Sequence, residues 1–357
     1  MDHKQSKKEN KMKKTATILT IVMSLTIFMA APAFAETKLL FNLYVPRFHV
    51  AFTGIMQPWG KAVEQATQGR VKIEYPASSV GPVPRQLDIV KKGVADISLG
   101  QHVFTPKLFA LPAVASLPFK GLSSEAASVA LWRTHVKYLE PAIDIKGVKL
   151  LSHMVIGPSH LFTTKKQVVN LSDAKNLKIR LSARYASDIA KALGVVMVAV
   201  PGPASYEVVS RGTVDGTTFS FSDIYNFKVS KFLNNVLIVP GGLYAASFSL
   251  IMNQEKWDSI SKADQRAIEN VSGENFARLT RSWDEADKEA FERLRKSKTK
   301  ISYLKETDGK ILERDLDYIV KEWIELANER GVDGKAALDY YMEQANEIAK
   351  QSWRPKP

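Results

Sequence analysis

Cysteine is absent from this 357-residue chain, which excludes disulfides, thiolate metal sites and cysteine nucleophiles together. Also missing are the Gly-x-x-x-x-Gly-Lys-Ser/Thr, Gly-x-Gly-x-x-Gly, Gly-x-Ser-x-Gly and His-Glu-x-x-His patterns. No phosphate cradle, nucleophile elbow or zinc-binding helix is therefore written as a local motif. Histidine is scarce. Beyond the N-terminal segment it occurs at His49, His102, His135, His153 and His160, without metal-ligand spacing. We expect no metal, no cofactor and no catalytic residue, because an enzyme would have to assemble its site from distant single residues. After residue 35, no apolar run approaches the roughly 20 residues of a membrane-spanning helix.

Residues 1–35 read as a segment outside the fold. Lys13 and Lys14 form a basic start, residues 16–29 are apolar with only hydroxyl-bearing interruptions, and Ala33-Phe34-Ala35 supplies a small-x-small cleavage pattern. The run is short for a membrane span, so we expect a signal peptide cleaved after Ala35 and a soluble mature protein in the periplasm. Met12, directly before Lys13, is an alternative start to Met1. The net charge is +13, of which residues 1–35, with six lysines and two acids, carry +4 and the mature chain about +9. The remaining basic residues alternate with acids, as in Arg278-Leu-Thr-Arg-Ser-Trp-Asp-Glu-Ala-Asp-Lys288, which reads as a solvated helix face. Nucleic acid is a poor partner for an exported chain, whereas a positive excess helps draw in anionic solutes.

Strand patterns at 39–45, 71–75, 95–99, 148–153, 177–181, 195–200, 236–239 and 247–252 alternate with helical ones, the mark of an α/β architecture. A helix over 55–67 should close at Gln68-Gly69, with glycine in the left-handed position. Residues 85–100 and 205–220 look alike. In each a helix ends at Lys92-Gly93 or Arg211-Gly212, and an aspartate (Asp96, Asp215) leads into an apolar strand. Lys/Arg-Gly is a common helix stop, yet the paired pattern suggests two lobes of similar construction. From a capping box at Ser261 and Asp264, apolar residues continue at helical spacing to about 296. A helix of that length, about 50 Å, could brace both lobes. Further helices are expected at 314–329 and 335–351.

Arg180 closes the strand pattern Asn176-Leu-Lys-Ile-Arg180, and Val214-Asp215-Gly216 opens another. A lone arginine on a strand, without a neighbouring nucleophile or base, suits capture of an anion better than its conversion. Asn176-Leu-Lys-Ile-Arg-Leu-Ser182, Ala192-Leu-Gly194, Tyr206 and Gly212-Thr-Val-Asp-Gly216 resemble the signature of the DctP-like solute-binding proteins of TRAP transporters. Gly69-Arg-Val-Lys-Ile-Glu-Tyr-Pro76, Gly93-Val-Ala-Asp96, Leu117-Pro-Phe119, and Met252-Asn253 with Trp257 extend the resemblance over the mature chain.

The resemblance implies a two-lobed, hinged periplasmic-binding-protein-like α/β fold with a long helix spanning both lobes. Lobe I would comprise 36–157 and about 246–285, and lobe II about 158–245 and 286–357. It also implies that Arg180 holds a ligand carboxylate, which its planar fork of donors matches; the other role open to it is a salt bridge inside one lobe. The expected function is capture of a small organic anion and its delivery to TRAP membrane subunits driven by an ion gradient. A periplasmic sensor for a receptor kinase and an exported enzyme are the alternatives.

Three departures from the family pattern bear on the ligand. His160 stands where many members carry a second arginine, and it either hydrogen-bonds the ligand or lies on the surface. Phe219 replaces a ligand-binding asparagine, with Phe221 and Tyr225 close by. Gln101 and Phe104 fall where sugar-acid binders use charged residues, and Tyr44 completes the candidate set. These rings either line the cleft, favouring a ligand with an apolar or aromatic body, or pack inside the lobes.

Overall fold

The computed structural model describes residues 36–349 together with Trp353 and Pro355; the expected signal peptide lies outside the described residues. The period-two and continuous apolar runs form strands β1 (Thr37–Leu40), β2 (Val71–Glu74), β3 (Ile97–Gln101), β4 (Val148–Val155), β5 (His160–Thr163), β6 (Lys178–Arg180), β7 (Val196–Val198), β8 (Gly216–Phe219), β9 (Asn235–Ile238), β10 (Ser247–Asn253) and β11 (Lys300–Tyr303). All eight expected strand segments are present. The four-residue β5 and the edge strand β11 were not anticipated.

Two sheets organise the chain. In the first, β10 runs antiparallel between β3 and β4; β1 pairs with β2 beside it, and Phe41, just past β1, makes a parallel bridge to Ile97. The second has the order β11-β9-β5-β8-β6-β7, with β5 antiparallel to both its neighbours. Its central strands β5, β8 and β9 are buried along their whole length, so none shows the polar–apolar alternation of a half-exposed strand. The chain passes from the first sheet to the second at 156–159 and returns at 240–246. There Ser159 N–H donates to Tyr244 O at 2.8 Å and Leu243 N–H donates to Ser159 O at 2.8 Å.

The two look-alike segments share one construction. The helices Gln86–Lys91 and Ser205–Ser210 both end at a left-handed glycine, Gly93 at φ 66° and Gly212 at φ 67°. Beyond each, an aspartate clasps a neighbouring strand. Leu40 N–H donates to Asp96 Oδ2 at 2.7 Å, and Lys178 N–H donates to Asp215 Oδ2 at 2.8 Å. The shared spelling thus reflects a shared strand-edge lock as well as a helix stop. Replacing Asp215 with alanine removes a charge-assisted bond at an exposed position, so a urea titration should show a loss of about 1 kcal/mol.

The long helical region 261–296 is bent into three segments, Lys262–Val271, Gly273–Arg278 and Arg281–Arg295. Its start is as expected: Ser261 Oγ accepts Asp264 N–H at 3.1 Å. The first break has a packing cause. Gly273 adopts φ 53° against the Trp132 ring, where a Cβ would clash, and Ser272 Oγ bonds back to Ile268 O at 2.7 Å. The last segment crosses between cores, with Trp283 packed beside the first sheet and Phe291 and Leu294 beside the second. The helices Glu306–Glu329 and Gly334–Ala349 close the chain. Trp323 Nε1 donates to Leu111 O at 3.1 Å, and Arg133 donates to Gln344 Oε1 at 2.7 Å, so these helices also lean on segments that precede β4. Among the described residues, no helix is long and apolar enough to cross a membrane.

Candidate functional site

β6 and β8 run parallel, pairing Arg180 with Thr217. Their ends deliver Arg180 and Phe219 to one cavity, which lies where residues from both sheets converge and measures about 740 Å³ with the open solvent at its mouth included. Arg180 is only 3 % exposed. Its Nε donates to Val200 O at 3.0 Å and one Nη donates to Thr218 O at 3.2 Å, which fixes the plane of the fork. The other Nη donates to no described residue, and Arg180 makes no ion pair within the described chain. The role of a lobe-internal salt bridge is therefore not the one seen. The guanidinium carbon lies 4.6 Å from the centroid of the Phe219 ring, a cation–π contact that holds the charge at the cavity wall.

The remaining wall is largely apolar: Val45, Met56, Leu99, Met154, Ile156, Phe227, Phe248 and Trp283. Phe219 stacks on Phe227 with centroids 5.3 Å apart. Tyr44 and Gln101 face the same cavity, with the Tyr44 hydroxyl donating to Leu99 O at 2.9 Å. Tyr244 also lines it and bonds Thr218 Oγ1 at 2.6 Å.

Four of the candidate residues lie elsewhere. His160 is buried, stacks near Phe221 with ring centroids 4.5 Å apart, and accepts Val239 N–H at 3.3 Å, so it neither reaches the Arg180 cavity nor lies on the surface. Phe221 falls beyond the end of β8, where the chain turns, and packs with Phe162, Phe291 and Trp353. Tyr225 lies in a separate surface groove beneath Arg293, whose guanidinium carbon is 3.9 Å from its ring. Phe104, in the turn after β3, is half-buried and does not line the cavity.

The sequence reading missed His49 and Asp223, which line the same cavity from segments far apart in the chain. Nδ1 of His49 accepts Ala51 N–H at 3.1 Å, so the neutral ring carries its proton on Nε2. Nε2 lies 3.8 Å from Asp223 Oδ1, and neither atom has a hydrogen-bond partner. Burial pushes His49 down to about 3. Burial, reinforced by the nearby Asp287, raises Asp223 to about 8. Both are then uncharged at neutral pH, and Asp223 does not neutralise Arg180. The cavity presents one uncompensated cation in an apolar surround, a setting that suits a monoanion. Once Asp223 ionises it competes with a bound carboxylate for Arg180. Calorimetric affinity for benzoate should be steady from pH 6 to 7 and fall as the pH rises past about 8.

The model of the bacterial extracellular solute-binding protein family 7 (DctP) matches residues 41–326. A protein named outer membrane transporter protein TsaT, from Comamonas testosteroni, is 31% identical over 92% of this chain and 97% of its own length. Among solved structures, a TRAP periplasmic solute-binding protein from Bordetella bronchiseptica with bound (R)- and (S)-mandelate superposes at a TM-score of 0.84. It is 31% identical, over 88% of this chain and 100% of that one. A TRAP solute-binding protein from Rhodoferax ferrireducens with copurified benzoate has a TM-score of 0.80 and 26% identity, over 88% of this chain and 99% of that one.

Proposed function

Because the chain belongs to the bacterial extracellular solute-binding protein family 7, we propose that it captures a small aromatic monocarboxylate and delivers it to TRAP membrane subunits. The observation that carries this reading is the Arg180 guanidinium, with one Nη free of protein partners, held against Phe219 in an otherwise apolar cavity. The carboxylate would take the free donors of the fork, and the ring would lie among Phe219, Phe227 and Trp283. Relatives with mandelate and benzoate support an aromatic body for the ligand. The family is one of solute-binding transport proteins rather than enzymes, and the sensor and enzyme alternatives gain no support from these relatives.

Export through a signal peptide cleaved after Ala35 belongs to the same reading, and N-terminal sequencing of the secreted protein tests it. So does closure of two lobes, 36–157 with about 246–285 and 158–245 with 286–357, about the crossing segments. Ligand energy would stabilise the closed form, and that form would dock on the permease. Mass spectrometry of the ligand that copurifies with the protein, followed by a thermal-shift screen with benzoate, mandelate and galactonate, tests the ligand class. Stabilisation by the two aromatic acids supports it; stabilisation by the sugar acid alone overturns it.

A further inference from the structure

We propose that His49 and Asp223 form a hydroxyl-recognising pair, so that the preferred ligand is an aromatic carboxylate carrying a hydroxyl on its ring. The inference rests on the aromatic-acid reading above and adds to it a second polar contact, separate from the anion anchor.

The geometry supplies the argument. His49 Nε2 and Asp223 Oδ1 are buried polar atoms without partners, 3.8 Å apart and lining the cavity. Leaving either unpaired is costly, so a native site with both orphaned is built for something the protein itself does not provide. The gap is too wide for a good direct bond, yet one oxygen placed beside it lies within hydrogen-bond reach of both atoms. The Ala51 N–H held by Nδ1 fixes the imidazole tautomer, so Nε2 can only donate. Asp223 Oδ1 can accept. A donor beside an acceptor matches a hydroxyl, which accepts from one and donates to the other.

Position decides where on the ligand that hydroxyl sits. Arg180 touches Phe219, Phe219 stacks on Phe227, and Phe227 meets the His49 ring at 5.0 Å. Phe219 and Phe227 thus link anchor and pair along the wall, and Asp223 stays close enough to Arg180 to interact with it electrostatically. Trp283, 5.5 Å from His49 and held by its Nε1 bond to Ser220 Oγ at 3.2 Å, steadies the imidazole from the other side. A ligand lying along that wall would put its carboxylate on Arg180 and its meta or para ring position at the pair.

The experiment compares benzoate with 2-, 3- and 4-hydroxybenzoate by calorimetry on the mature protein, His49→Phe, Asp223→Asn and Asp223→Leu. The readout is the ratio of Kd values, in which a general weakening of the cavity cancels. The wild type should bind the 3- or 4-isomer at least ~10-fold tighter than benzoate. That ratio should fall below ~3 in His49→Phe and Asp223→Leu and persist in Asp223→Asn, which keeps the acceptor. A wild-type ratio near one for every isomer, with benzoate still bound, would show that the pair merely holds water and would overturn the inference alone. Failure of all four acids to bind would overturn the aromatic-acid reading beneath it.

Discussion

Replacing Arg180 with alanine is expected to weaken carboxylate binding by about 3–5 kcal/mol, a loss of hundreds- to thousands-fold in Kd. The size follows from burial. At 3 % exposure the guanidinium has left bulk water, and with Asp223 raised to about 8 no protein anion neutralises it at neutral pH. The ligand would be the counterion, and without the arginine a carboxylate would enter an apolar cavity unpaired. Arg180→Lys should recover part of the loss, since it keeps a charge but not the fork that now bonds Val200 O and Thr218 O. Calorimetry with benzoate and mandelate measures the effect, and a cooperative thermal transition confirms that each variant folds. Affinities within a few-fold of wild type would mean that Arg180 is not the anchor.

The parts of this architecture that local spacing records are legible in the sequence alone. Strands such as β4 and β10 announced themselves by apolar content, and Gly93 and Gly212 by the helix stop that precedes each. Arg180 was found because one strand motif carries it. β5 was not, since His160-Leu-Phe-Thr163 is four residues long, buried on both faces and without alternation to mark it. β11 lies at the sheet edge after a lysine-rich loop and shows too little apolar pattern. The bend at Gly273 depends on the Trp132 ring, which belongs to another helix.

The candidate site divides along the same line. Phe219 and Phe221 are two positions apart, which on a continuing strand would place them on one face. β8 stops at Phe219, and the turn sends Phe221 into the core instead. His49 and Asp223 belong to distant segments, and only the folded chain brings them within 3.8 Å. A faint signal existed, because an aspartate inside the aromatic stretch from Phe219 to Phe227 is costly unless it has a use. Sequence spacing could not say what it faced.

Acid should destabilise the protein well before its ordinary carboxylates titrate, and the sign follows from proton counts in the two states. All five described histidines are buried. Desolvation lowers His49, His102 and His160 to about 3 and His135 to about 4, and it holds His153 well below its usual range. His102 and His153 share Ser249 Oγ at 2.7 and 2.9 Å, and the His135 ring centroid lies 4.8 Å from that of His153, so charging one of these rings opposes charging the next. Near pH 5 the unfolded chain protonates all five while the folded one protonates almost none. Three aspartates work in the other direction: burial raises Asp223 to about 8, Asp287 to about 7 and Asp284 to about 6. Near pH 5 the folded chain keeps these three protons and the unfolded chain has lost them. Unfolding there therefore takes up a net of about two protons, and stability falls by about 2.7 kcal/mol for each unit the pH drops below about 5.5. At pH 6.5 the unfolded histidines are still about half-protonated, and only above about 7.5 are they neutral in both states. Asp223 and Asp287 still lose protons on unfolding, so stability also declines as the pH rises towards 8. The result is a maximum between about pH 6.5 and 7. Urea midpoints followed by tryptophan fluorescence at pH 4.5, 5.5, 6.5 and 8 would trace it, and a flat profile from 4.5 to 6.5 would refute the count. Replacing His153 with glutamine removes one of the five and should lower the acid-side slope by about 1.4 kcal/mol per unit.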